Sequence, residues 1–141
     1  MIKVIQPGLF TTIQDAGRHG FRNIGIPTSG FMDQESAWAA NELVNNNKDE
    51  SLLEITLTGP TLIFNCNCVI SITGGDFKPL INDLSVKMYQ PINVSSGDIL
   101  KLNNTINGAR SYIAVSGGLN VKSLFGSKSF FINISDSYYL K

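Results

Sequence analysis

Arg18 and Ser29, each flanked by glycine between Pro7 and Asp33, are the residues of this sequence best suited to hold a small polar ligand. Arg18 supplies a permanently charged, forked donor for a carboxylate or a phosphate. Gly20 and Gly30 let backbone amides come close to a bound group, while Ser29 and Asp33 add short polar groups beside a helix start. The same residues also fit an architectural role, in which the glycines turn barrel corners, Asp33 only caps the helix and Arg18 pairs with Asp15. Spacing alone leaves both readings open.

Other chemistries find less support. Gly25-Ile26-Pro27-Thr28-Ser29-Gly30 has proline where a nucleophile elbow needs glycine, so Ser29 reads as a ligand or turn hydroxyl. His19 sits beside Arg18 in a polar loop and reads as a surface or turn residue rather than a general base. Cys66 and Cys68 fall on one face of a strand, yet no third thiol accompanies them and His19 is distant; no metal site is expected. No G-x-x-x-x-G-K-[ST] loop occurs, and Lys87 matches a biotin-attachment tetrapeptide only in the pair Lys87-Met88. Neither a nucleotide site nor covalent biotin is therefore expected on this chain.

The elements that must position these residues are mostly strands. Apolar, β-rich runs recur between turn signals: IKVI, FTTI, LLEITL, TLIF, CVISIT, LSVKMY, INV, ILKL, RSYIAV and SFFINI. Leu53, Ile55 and Leu57 alternate with Glu54 and Thr56, which predicts a strand with one buried face. The exception runs from Asp33 to about Asn46, where Asp33 caps a helix, Glu35 complements its dipole and Ala37, Ala40 and Val44 form one stripe. Asn45 to Asn47 then offer residues that tolerate a left-handed end. The expected architecture is mainly β with one principal helix, in a single domain over residues 1–141.

Eleven basic and eleven acidic residues give a formal net charge of zero, which offers no general attraction for nucleic acid or an anionic membrane. No apolar run approaches the roughly 20 residues of a membrane helix and no signal core precedes Pro7, so a cytoplasmic protein is expected.

The segments PGLFTTIQDAGRHGFRNIGIPTSGFMDQESAWAANELVNN, LLEITLTGPTLIF, ITGGDF, SSGDILKL and GARSYIAVSGGLNVKSLFGSKS, in this order, closely resemble the biotin-dependent carboxyltransferase family. The resemblance is to its branch of 5-oxoprolinase C subunits, also described as allophanate hydrolase subunit 2 or as antagonists of a sporulation-kinase inhibitor. It implies a cyclophilin-like β-barrel and a subunit of a heteromeric, cytoplasmic enzyme that uses ATP as co-substrate to open 5-oxoproline to glutamate. The implied partners are the other 5-oxoprolinase subunits, especially the kinase-inhibitor-like one, and a small amide or lactam substrate. On the matching positions it implies that Arg18 receives the substrate carboxylate, that Ser29 with the amides of Gly20 and Gly30 holds the lactam, and that Asp33 lines the same side. Gln14, Asp15 and Asn41 match the same motif and are implied as supporting residues, with Asn41 expected to lock the loop from behind.

Two other readings accompany it: a urea or allophanate-pathway carboxyltransferase module, and a regulatory protein that binds a kinase-inhibitor partner. The resemblance ends near Ser129, so the chain reads as an amino-terminal half, with Tyr138 and Tyr139 expected on an association-prone edge.

Overall fold

The computed structural model describes residues 1–132; Tyr138, Tyr139 and the end of the run SFFINI lie outside the described residues. The chain forms β1 (Ile2–Gln6), β2 (Phe10–Gln14), a 3-10 turn at Arg22–Ile24, α1 (Gln34–Leu43), β3 (Leu52–Thr56) and β4 (Thr61–Phe64). It continues through β5 (Cys68–Asp76), β6 (Leu80–Ile81), β7 (Leu84–Ser85), β8 (Ile92–Val94), β9 (Ile99–Lys101) and β10 (Asn107–Val115). Two antiparallel five-stranded sheets result, in the orders β1-β4-β9-β6-β7 and β2-β3-β10-β5-β8. No helix among the described residues is long and apolar enough to cross a membrane.

Strand alternation builds the core. Ile13, Leu53, Ile55, Ile70, Ile72 and Ile113 of the second sheet meet Leu62, Phe64 and Leu100 of the first. Each such side chain contributes about 1.5–3 kcal/mol when taken out of water. This is the barrel-like, mainly β architecture with one principal helix that the sequence leads one to expect.

Helix α1 covers the opposite face of the second sheet. The Asp33 carboxylate accepts from Ser36 N at 3.1 Å and starts the helix. The small Ala37 and Ala40, with Val44, then let it settle on Leu52, Tyr112 and Ala114. Ser71 Oγ donates to Ala40 O at 2.6 Å and Thr73 Oγ1 to Ser36 O at 2.7 Å, tying helix to sheet. The helix stops at Leu43 rather than near Asn46, and Asn45 turns out of it at φ 57°.

Three expectations change at this level. Glu54, read as solvent-facing, is only 6% exposed, because α1 and its entry loop cover that side of β3. Leu57, read as buried, is exposed at φ 59°, where the chain leaves the strand. LSVKMY is strand only over Leu84–Ser85, whereas the unexpected β6 sits just before it.

One corner leaves no room for a side chain. A Cβ on Gly59 would lie 2.1 Å from Leu102 Cβ and 2.9 Å from the Leu102 carbonyl carbon. Gly59→Ala is therefore expected to lower unfolding stability by about 1–3 kcal/mol. A denaturation midpoint unchanged from wild type would show that the corner yields freely.

Candidate functional site

The two polar stretches singled out in the sequence are zipped together. Arg18 N donates to Thr28 O at 2.7 Å, and Phe31 N to Asp15 O at 3.1 Å. Gln14 Oε1 accepts from Gly30 N at 3.2 Å, and its Nε2 donates to Thr12 Oγ1 at 3.1 Å. A Cβ on Gly17 would stand 2.8 Å from Thr28 O, so this close approach requires glycine.

Arg18 is only 3% exposed, and its fork is engaged by protein atoms. Nη2 donates to Ser129 O, Nε to Leu124 O at 3.5 Å and Nη1 to Ser29 Oγ at 3.4 Å. Asp15 accepts from Gly17 N at 2.8 Å, Ser127 Oγ at 2.6 Å, Lys128 N at 2.6 Å and Ser129 Oγ at 2.6 Å. Burial alone would raise the Asp15 pKa, but these hydrogen bonds together outweigh it and hold the carboxyl below its ordinary value. Asp15 and Arg18 are not among the ion pairs of the described residues; instead both grip the segment Leu124–Ser129.

The remaining expected residues are spread out. Gly20 borders an open depression of about 510 Å³ with His19, Arg22, Asn23 and Thr28. Asn41 is fully buried and does lock a loop, but the one after its own helix, through donation to Lys48 O at 3.1 Å and Glu50 O at 2.8 Å. Of the five expected ligand residues, Asp33 alone lines the larger cleft described next.

That cleft, about 620 Å³, opens between the start of α1 and the facing ends of β5 and β10. Its walls include Asp33, Ser36, Asp76, Asn107 and Arg110. The ladder between β5 and β10 shifts register between Asn107 and Ser111, and the bulge is packed backbone to backbone. A Cβ on Gly75 would lie 2.8 Å from Asn107 O, and one on Gly108 would lie 2.9 Å from Gly75 Cα.

Behind the wall lies Glu54. Its Oε2 accepts from Met32 N at 2.8 Å, and its Oε1 sits 3.3 Å from Arg110 Nε, an ionic contact without hydrogen-bond alignment. Tyr112 OH accepts from Asp33 N at 2.7 Å. Burial first, then the Glu54 charge beside it, push the Tyr112 pKa up, so the phenol stays protonated at neutral pH.

The sequence does not point to Glu54, Arg110, Tyr112 or Gly74-Gly75-Asp76, the β5 stretch opposite the β10 bulge, as site residues. Gly74-Gly75-Asp76 has the residue types of a tight turn but forms the end of β5. Glu54 and Arg110 lie on the paired strands β3 and β10, a juxtaposition that no local pattern reveals.

Residues 24–135 match the family described as carboxyltransferase domain, subdomain A and B. The chain is 38% identical over 131 residues to urea amidolyase of Saccharomyces cerevisiae, covering 92% of this chain and 7% of that protein. It is 38% identical over 129 residues to the C subunit of 5-oxoprolinase from Escherichia coli, covering 92% of this chain and 42% of that protein. The crystal structure of the K. lactis urea amidolyase superposes with a TM-score of 0.88 at 41% identity, over 91% of this chain and 8% of that one. The chain thus spans less than half the length of these relatives.

Proposed function

The chain belongs to the carboxyltransferase domain family, subdomains A and B, and from that premise we propose that it is a component of a heteromeric, ATP-dependent 5-oxoprolinase. In this reading the assembly works in the cytoplasm, takes ATP as co-substrate and adds water across the lactam C–N bond of 5-oxoproline to give glutamate. The other subunits, the kinase-inhibitor-like one in particular, complete the site, and ATP is handled by the assembled complex.

The observation that carries the reading is the lining of the 620 Å³ cleft. An amide presents one acceptor and one donor in a fixed plane. The cleft answers with the Arg110 guanidinium as donor and with Asp76 as acceptor, on walls held by strands and by the helix that Asp33 caps. Arg18 enters the proposal in a restricted form. Its guanidinium is committed to Leu124 O and Ser129 O, so receiving a substrate carboxylate there, with Ser29 beside it, requires that segment to move.

The test is ATP-dependent glutamate release from 5-oxoproline by this chain mixed with the other 5-oxoprolinase subunits, with the full-length E. coli relative as positive control. Release above the mixture lacking the chain is expected, with a drop of at least about tenfold for Arg18→Ala if Arg18 meets the carboxylate. Silence beside a working control overturns the proposal for this polypeptide.

A second reading, a urea-pathway carboxyltransferase module, draws on 38% identity to the yeast urea amidolyase, equal to that with the E. coli protein. It predicts dependence on carboxybiotin and urea instead of ATP and 5-oxoproline.

A further inference from the structure

We infer that Glu54 sets the selectivity of the cleft: by cancelling the charge of Arg110 it makes the cleft a reader of neutral amides that turns carboxylates away. The inference rests on the amide reading of that cleft and adds to it a residue that touches no ligand.

An arginine at the wall of a pocket normally attracts a carboxylate through its charge and its fork. Here Glu54, 6% exposed, lies against the guanidinium at 3.3 Å. Its position is fixed from other sides: Met32 N donates to its second oxygen at 2.8 Å, and Tyr112, protonated and anchored by Asp33 N at 2.7 Å, stands next to it. The carboxylate therefore cannot swing away without breaking the entry to α1.

Among the described residues, the other charges facing the cleft are Asp33 and Asp76. Asp33 spends its carboxylate on the helix cap, accepting from Ser36 N at 3.1 Å and Ser36 Oγ at 2.5 Å, and Asp76 is only loosely balanced by Lys78 at 3.9 Å. With Arg110 neutralised, the local balance is negative and a second carboxylate in the cleft is repelled. A neutral lactam or ureido group meets no such penalty and still finds the outer N–H groups of Arg110, which is 29% exposed at its side chain. A carboxylate elsewhere on the same ligand must then be received outside this cleft.

The experiment uses two small probes, 2-pyrrolidinone for the neutral amide and acetate for the anion, titrated against the folded chain while the backbone amide signals of residues 107–110 are followed. Wild type is expected to respond to 2-pyrrolidinone and not to acetate at equal concentration. In Glu54→Gln, which keeps an oxygen for Met32 N–H, acetate affinity is expected to rise about tenfold with a much smaller change for 2-pyrrolidinone. The double variant Glu54→Gln/Arg110→Met should lose that gain.

A purely structural role for Glu54 would shift both probes together and would overturn the inference. So would acetate binding as tight in wild type as in Glu54→Gln. Wild type that ignores 2-pyrrolidinone, beside a Glu54→Gln variant that gains acetate, would instead overturn the amide reading and leave the charge role standing. Should Glu54→Gln fail to fold, Arg110→Met alone decides: it must weaken 2-pyrrolidinone at least about tenfold and leave acetate unbound.

Discussion

Asp15→Ala is expected to lower unfolding stability by about 2–4 kcal/mol and to free the segment Leu124–Ser129 from the barrel, read as faster amide exchange at Lys128 and Ser129. The carboxylate takes two backbone donors, Gly17 and Lys128, and two hydroxyl donors, Ser127 and Ser129. Alanine leaves all four without that acceptor. Ser129, whose hydroxyl is one of them, is completely buried and also receives the Arg18 guanidinium on its carbonyl, so the loss spreads to a charged group that is 3% exposed.

The pH dependence follows from the same bonds. The folded pKa of Asp15 lies below its ordinary value of 3.8, so the carboxylate form is the one that the fold favours. Its contribution is fully present above pH 3.8 and is lost as pH falls through the lower, folded value. Asp15→Asn should therefore flatten the acid limb of the stability curve while leaving the neutral region displaced downward by a constant amount. An acid limb identical to wild type would show that Asp15 is not the group that titrates there.

Much of this clasp was readable from the chain, but not its target. The glycines read as ligand contacts or barrel corners prove, at 17 and 30, to be points where backbone approaches backbone, and Arg18, Ser29 and Gln14 do converge there. What they hold lies more than a hundred residues later, and no local signal joins Asp15 to Ser127. The same limit explains Glu54. Alternation correctly placed Leu53 and Ile55 in the core, but it assigns the other face to water by default. The Ala37, Ala40, Val44 stripe showed that the helix must cover something, without saying which strand. Most of the longer strands were legible because turn chemistry is local; β6 escaped because a two-residue strand carries no period, and β7 fills only the first two residues of the expected run LSVKMY.

Asn41→Ala tests the other support of the fold, with an expected loss of about 2–4 kcal/mol in unfolding stability. The side chain is fully buried, donates to Lys48 O and Glu50 O at 3.1 and 2.8 Å, and accepts from Asn46 Nδ2 at 3.1 Å. Alanine strands two carbonyls and frees Asn46, which itself reaches Val115 O at 2.8 Å and receives Gly117 N at 2.9 Å. The loop after α1 and the end of β10 should therefore loosen together, visible as joint loss of exchange protection over residues 44–50 and 115–117. Glu50 carries the disturbance further. Its carboxylate receives Lys128 Nζ at 2.8 Å, and Lys128 N is one of the donors to Asp15. Asn41 and Asp15 are thus linked through Glu50 and Lys128, and their combined variant should depart from the sum of the two single losses by more than about 0.5 kcal/mol. Strict additivity would mean that the loop and the clasp open independently, leaving the Glu50–Lys128 pair as a surface contact with no role in joining them.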